Sequence, residues 1–174
     1  MAFAFGLASA LVLGGCSDDP EPKMAPAPSA SASVSESPSP SESSGSSPRD
    51  AQSEFIGTYF DSVSDSISTG DTAAFMSLSD ENCQSCKALQ QNLHSAYLGG
   101  GHIEGGKWEV TSSEFVRESK RVGAIWNVDV ATQRERWFNG DGDQVKTVVA
   151  GVQHLGVAIQ STPDGLIVRE MRLR

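Results

Sequence analysis

Positive charge is scarce in this sequence and is nowhere concentrated. The chain has 174 residues, with 13 Lys and Arg against 22 Asp and Glu, and its formal net charge at pH 7 is −9. A protein that binds nucleic acid needs a basic stripe or patch to meet the phosphates. Because no such stripe occurs along this chain, we expect no nucleic acid among its partners.

The sequence also lacks the short motifs that mark common catalytic and metal sites. It contains no G-x-S-x-G, no H-E-x-x-H and no phosphate-binding loop. Asn139, Asp141 and Asp143 imitate the start of a calcium loop, but Gln144 stands where that loop needs glycine and Ala150 where it needs glutamate. We therefore predict a turn at this point, and no metal or other cofactor.

Long apolar runs are missing except near the start of the chain. Residues 2–13 are almost wholly apolar, which is too short for a bilayer span of ~20 residues but typical of a secretory signal. The run leads into Leu13-Gly14-Gly15-Cys16, which resembles the bacterial lipobox, whose cysteine thiol is lipidated and becomes the mature N-terminus. The resemblance implies a lipoprotein signal peptide at 1–16 and a lipid anchor on Cys16. It also places the protein at the extracytoplasmic face of the cell membrane. The alternatives are an ordinary secretory signal or an apolar N-terminal helix.

Two further regions follow the signal. Residues 17–49 consist largely of Ser, Pro, Ala and Glu, with almost nothing to bury. Such a composition does not offset an ordering entropy of roughly 1–2 kcal/mol per residue, so it predicts a disordered tether. Residues 50–174 then suit a single domain of ordinary size.

Cys83 and Cys86 form a C-x-x-C pair, which is compatible with a disulfide, a redox motif or a metal clamp. In an exported domain, close cysteine pairs tend to oxidise. Asp80 and Asn82 are candidate N-caps for a helix that would carry both cysteines on one face of its first turn, within bridging distance. A redox pair should follow a strand in a βαβ unit, and zinc needs two more ligands at suitable spacing. The sequence favours the disulfide, and the other two readings stay open.

Hydrophobic periodicity predicts helices first and strands afterwards. Apolar residues at 3-and-4 spacing predict a helix over 51–68, followed by a short helix around Phe75 and a third helix through Leu89 and Leu93. After a glycine-rich loop, period-2 patterns predict four strands over 107–118, 122–130, 143–160 and 166–173. The order predicts an α+β fold, with N-terminal helices on a curved, mostly antiparallel four-stranded sheet.

Three stretches carry a family resemblance. The segment "FIGTYFDSVSDSISTGDTAAFMSLS", followed by a third helix and a curved sheet, resembles the nuclear transport factor 2-like cone fold. Together, "TGD", the C-x-x-C pair and "YLGGGHIEGGKW" resemble an uncharacterised family of actinobacterial lipoproteins, a domain of unknown function. The resemblance implies a fold and a location, and no activity.

A cone fold of this kind implies a pocket between the helices and the concave face of the sheet. We predict that Tyr59, Tyr97 and Trp126 line it, and that Glu114 also points inward if its strand has no bulge. Such a pocket suits a small apolar ligand or an envelope protein, so we expect a non-catalytic binding domain. The alternative is an isomerase or dehydratase that uses a carboxylate with Tyr or His.

Overall fold

The structure is a computed structural model that describes residues 47–174, all of which fall within one compact unit. The predictions for Cys16, for the signal peptide and for most of the tether concern residues outside this range. Within it, the chain forms three α-helices, one 3₁₀ turn and seven strands. In chain order they are α1 Pro48–Thr69, α2 Ala73–Ser77, α3 Gln84–Tyr97, the 3₁₀ turn Leu98–Gly100, β1 His102–Gly105, β2 Trp108–Ser119, β3 Gly123–Thr132, β4 Glu135–Phe138, β5 Gln144–Val148, β6 Gly151–Thr162 and β7 Gly165–Leu173.

The strands form two antiparallel sheets. The larger has the order β2-β3-β6-β7 and the smaller the order β1-β4-β5. The α+β class and the four-stranded sheet are therefore confirmed. The three-stranded sheet was not predicted, because β1 and β4 have four residues each and are too short to show a period.

The core lies between α1 and the inner face of the larger sheet. Every second residue of β3 is buried, as the pleat of a half-buried strand requires. The other side of the core is a stripe of apolar residues on α1, which recur at helical spacing. The buried residues of these elements are Ile56, Tyr59, Phe60, Val63 and Ile67 on α1, Ala124, Trp126, Val128 and Val130 on β3, and Leu155, Val157 and Ile159 on β6.

Local capping sets the limits of α1. Ser47 and Asp50 form a reciprocal capping box, and Pro48 occupies the first turn. The helix therefore begins inside the segment predicted as tether, two residues before the predicted domain boundary. It ends at Gly70, whose φ of 78° is left-handed and whose α-carbon lies so close to the Tyr97 ring that a Cβ would approach it to 2.6 Å.

The long strand predicted over 143–160 is wrong. The chain forms two strands there, and they belong to different sheets: β5 pairs with β4, whereas β6 pairs with β3. The break falls at residues 149 and 150, directly before Gly151. A continuous run of valines hid this break, since composition alone does not show that a strand changes partner.

The disulfide between Cys83 and Cys86 is confirmed, with a Cα–Cα distance of 5.3 Å. Both cysteines are buried. The predicted N-caps are wrong, because Cys83 itself caps α3 and its sulfur accepts the Cys86 amide N–H at 3.3 Å. Asp80 instead accepts the Asn82 N–H at 2.7 Å, so its carboxylate serves the turn before the helix.

The disulfide should stabilise the fold modestly, because it closes a very short loop. We expect Cys83→Ala with Cys86→Ala to lower the free energy of unfolding by ~2 kcal/mol in urea denaturation. The untreated protein should also be lighter than its reduced form by the mass of two hydrogen atoms. Free thiols together with stoichiometric zinc in the purified protein would contradict the disulfide.

Candidate functional site

A groove opens between α3 and the ends of β6 and β7. Its volume is about 180 Å³, and most of its wall is aliphatic or aromatic. Ser85 and Leu89 come from α3, and Trp108 comes from the start of β2. The strands contribute Gln153, Leu155, Met171, Arg172 and Leu173.

Strand alternation explains why this wall is apolar. Leu155 pairs with Leu173 across β6 and β7, and Val157 pairs with Met171, so these four side chains share the inner face. Arg172 lies on the outer face, where its side chain runs 3.5 Å from the point at which Gly156 would carry a Cβ. The guanidinium is therefore directed away from the groove, which leaves its interior without a charge from this residue.

Four contacts fix the start of α3 and the segment before it against β7. Val168 donates its N–H to the Leu78 carbonyl and accepts from the Asp80 N–H, both at 2.8 Å. Ser85 Oγ accepts the Met171 N–H at 3.1 Å, and Arg169 Nη1 donates to Asp80 Oδ2 at 2.5 Å. The Asn82 N–H and the Arg169 guanidinium hold the pKa of Asp80 below its usual range, against the opposing effect of burial.

A buried carboxyl group lies behind the groove wall. Glu135 is 7% exposed and accepts from two indoles: Trp108 Nε1 at 3.5 Å and Trp137 Nε1 at 2.9 Å. Trp108 belongs to the larger sheet and Trp137 to the smaller one, so the carboxyl links the two sheets. Trp108 also stacks on Phe60, with ring centroids 6.1 Å apart. Its ring is therefore fixed from two directions before it forms part of the groove.

None of the four residues proposed from the sequence belongs to this groove. Tyr59 is 0% exposed and its hydroxyl donates to Cys86 Sγ at 3.4 Å. Desolvation by burial raises the pKa of Tyr59 to about 12, which makes it a poor acid. Tyr97 donates to the Ile67 carbonyl at 2.7 Å, and burial raises the pKa of its hydroxyl also.

Trp126 points into the fold, whereas a change of register in β2 turns Glu114 away from it. Trp126 is 4% exposed, packs edge-to-face on Phe115 at 5.6 Å and donates to Gln52 Oε1 at 3.3 Å. Pairing of β2 with β3 shifts between Val110 and Ser112. This bulge turns Phe115 inward and leaves Glu114 exposed, so Glu114 does not point into the fold.

A further cluster of titratable side chains lies at the surface. His154 Nδ1 is 2.8 Å from Asp129 Oδ1, and Arg174 Nη2 is 2.9 Å from the same oxygen. The bond to His154 and the charge of Arg174 hold the pKa of Asp129 below its usual range. Among residues 47–174, no three His, Cys, Asp or Glu side chains gather as metal ligands would. No helix in that range is long and apolar enough to cross a membrane.

Reasoning from the sequence did not identify the groove residues or Glu135. The sequence predicted a third helix through Leu89 and strands that include Leu155, Met171 and Leu173, and nothing in the spacing of these residues indicates that the helix leaves them partly uncovered. Glu135 lies two residues before Trp137 in a strand of four residues. The signal that could have found it is the i, i+2 spacing of an acid and an indole, which places both on one face.

The architecture and groove define an α+β domain with an apolar recess at one end of its larger sheet. A family model described as a family of unknown function, DUF6318, matches residues 30–154, and the chain belongs to this family.

Comparison with other proteins adds little about activity. No curated protein is significantly similar in sequence. Among solved structures, the intermembrane space region of the chloroplast protein ARC6 matches with a TM-score of 0.46 and 10% sequence identity, over 71% of this chain and 95% of that chain. A likeness this distant carries no functional argument.

The Glu135 contacts predict a specific loss on substitution. Glu135→Gln would place an amide NH₂ against one of the two indole N–H groups and leave that donor unpaired, so we expect unfolding free energy to fall by ~1–3 kcal/mol. Urea denaturation followed by tryptophan emission measures this change. Glu104→Gln, which removes a surface partner of Arg136, is the matched control, with an expected loss of at most ~1 kcal/mol. Equal losses in the two variants would contradict the proposed role of Glu135.

Proposed function

We propose that this protein is a lipid-anchored, extracytoplasmic protein whose domain binds an apolar group in the groove between α3 and β7. The observation that carries the binding proposal is the groove itself. Leu89, Trp108, Leu155, Met171 and Leu173 provide its wall. Burial of apolar area contributes roughly 25 cal/mol per Å², so such a wall can hold a hydrocarbon group without a charged contact.

The size of the groove limits what enters it. Pockets for drug-sized ligands measure about 300–1,000 Å³, whereas this groove measures about 180 Å³. It therefore suits one apolar side chain or the end of an acyl chain better than a whole metabolite. The end of an acyl chain would belong to a small apolar ligand, and an apolar side chain would belong to an envelope protein. The groove is therefore compatible with both of the expected partners.

The alternative function, an isomerase or dehydratase, has weaker support. Such an enzyme needs a carboxylate with Tyr or His facing its substrate. Among the described residues, those that line the groove include no Asp, Glu or His. Glu114 is exposed elsewhere, and both oxygens of Glu135 are engaged by indoles behind the wall. We therefore favour binding without turnover.

The location rests on the sequence and on the disulfide. Leu13-Gly14-Gly15-Cys16 resembles a lipobox, and a buried disulfide is typical of domains exposed to an oxidising compartment. We propose that Cys16 carries the lipid and that a tether over 17–49 links it to the domain. The resemblances to actinobacterial lipoproteins and to the nuclear transport factor 2-like cone fold belong to the same proposal.

The groove proposal predicts a selective loss of binding at its rim. Leu173 is 73% exposed and lines the groove, whereas Leu98 is 69% exposed and does not. Leu173→Glu would put a carboxylate beside the bound apolar group, at a desolvation cost. We expect it to weaken binding of the neutral dye N-phenyl-1-naphthylamine about tenfold or more, in a fluorescence titration.

Leu98→Glu is the matched control, because it adds the same charge at an equally exposed leucine. It should bind the dye as the wild type does, and circular dichroism should show that both variants are folded. Equal dye affinity in the two variants would contradict the groove as the binding site.

The lipid anchor predicts a change of cell fraction. In the full-length precursor, expressed in a bacterium with the lipoprotein pathway, Cys16→Ala should move the protein from the membrane fraction to the soluble fraction. Mass spectrometry of the wild type should find a diacylglycerol-modified N-terminal cysteine. A variant that stays in the membrane, together with an unmodified wild type, would refute the anchor.

A further inference from the structure

The outer edge of β7 carries backbone groups that lie beside the groove. In an antiparallel strand, the N–H and C=O of one residue point to the same side, and neighbouring residues point to opposite sides. β7 is the last strand of the larger sheet, so every second residue directs its backbone away from β6.

The first part of this edge is already occupied by the chain itself. Leu78, Ser79 and Asp80 run parallel to β7 as a short added strand, with Ser79 bridged to Val168 and both polar groups of Val168 bonded. The pairing of β6 with β7 then shifts between Ala158 and Ile159. Because β7 has one extra residue at this shift, the next residue whose backbone points away from β6 is Met171. The Met171 N–H donates to Ser85 Oγ.

Beyond this point none of residues 47–174 covers the edge. The Arg174 N–H donates to the His154 carbonyl on β6 at 2.9 Å, so Arg174 faces inward along the sheet and Leu173 must face outward. The Met171 carbonyl and both polar groups of Leu173 therefore point away from β6. The side chains of Met171 and Leu173 line the groove beside them.

We propose that the groove takes an extended peptide segment of a partner protein, which adds to β7 as a short strand and inserts one apolar side chain between α3 and the sheet. This inference rests on the proposed apolar binding function and names the class of its ligand. Strand addition uses main-chain hydrogen bonds for affinity and a side-chain pocket for selectivity. Both elements lie side by side here.

The occupant follows from three features of this end of the fold. The chain's own residues 78–80 already bind the same edge in the same manner, and a partner segment would continue their line where the chain turns into α3. The groove volume of about 180 Å³ matches a single apolar side chain. An acyl chain, in contrast, offers no partner for the outward backbone groups of Met171 and Leu173.

The test uses the full-length protein with three blocked peptides of the sequence Lys-Thr-Val-Leu-Val-Thr-Lys. One is unmodified, one is N-methylated at the leucine, and one at the following valine. Neighbouring residues of an added strand point their N–H groups to opposite sides. We therefore expect one methylated peptide to bind about tenfold more weakly than the unmodified peptide, and the other to bind nearly as well.

A protein variant gives a second, independent readout. Leu173→Pro removes the outward N–H without removing a bond to β6, as proline does on sheet edges, and Leu173→Ala is the control for loss of the side chain. The two variants should bind N-phenyl-1-naphthylamine equally, but Leu173→Pro should bind the unmodified peptide several-fold more weakly.

The outcomes separate the two proposals. Dye binding without peptide binding, or equal effects of the two methylations, would overturn strand addition and leave the apolar groove intact. If the wild type binds neither the dye nor the peptide, the proposed function of the groove is itself overturned. Peptide binding with one sensitive methylation position would support both.

Discussion

The groove depends on how tightly the chain is fixed to β7 just before α3 begins. Two backbone bonds to Val168, the Asp80–Arg169 pair and the Ser85 contact to Met171 all fall within eight residues of chain, from Leu78 to Ser85. The Cys83–Cys86 disulfide overlaps the end of this stretch. Since a helix enters the fold in the direction that its first turn sets, these contacts place α3 beside the sheet edge, and its Leu89 then faces Leu155 and Leu173 across a gap.

The opposite wall has its own constraint in Glu135. A buried carboxyl group costs free energy unless its oxygens are bonded, and here two indole N–H groups bond it from different sheets. Trp108 thereby donates its indole N–H to Glu135 and also lines the groove. The hydrogen bonds that the buried Glu135 carboxyl group needs are supplied by the two indoles and not by groups inside the groove. The groove beside this acid can therefore still be apolar.

What the sequence could predict follows from how local each signal is. The stripe on α1, the alternation along β3 and the C-x-x-C disulfide are repeated or short-range patterns, and the structure has all three. The inward position of Glu114 failed because one extra residue near Val110 reverses the alternation of β2. The break between β5 and β6 was hidden because both segments are rich in valine. The groove depends on which apolar residues α3 leaves uncovered, and that is set by tertiary contacts.

The treatment of sheet edges gives the binding site its physical context. Exposed edges promote unwanted strand pairing, and proteins usually cover them. At the start of β2, Ser64 on α1 both accepts from the Trp108 N–H and donates to its carbonyl, each at 2.9 Å. On β7, residues 78–80 and Ser85 cover the edge as far as the Met171 N–H. The part of β7 that no described residue covers begins where the apolar groove begins, at the Met171 carbonyl and Leu173. Recognition of an extended segment requires an open edge for main-chain hydrogen bonds and a recess for a side chain, and the two coincide here. If the edge were open merely because no residue covers it, there would be no reason for an apolar recess beside it.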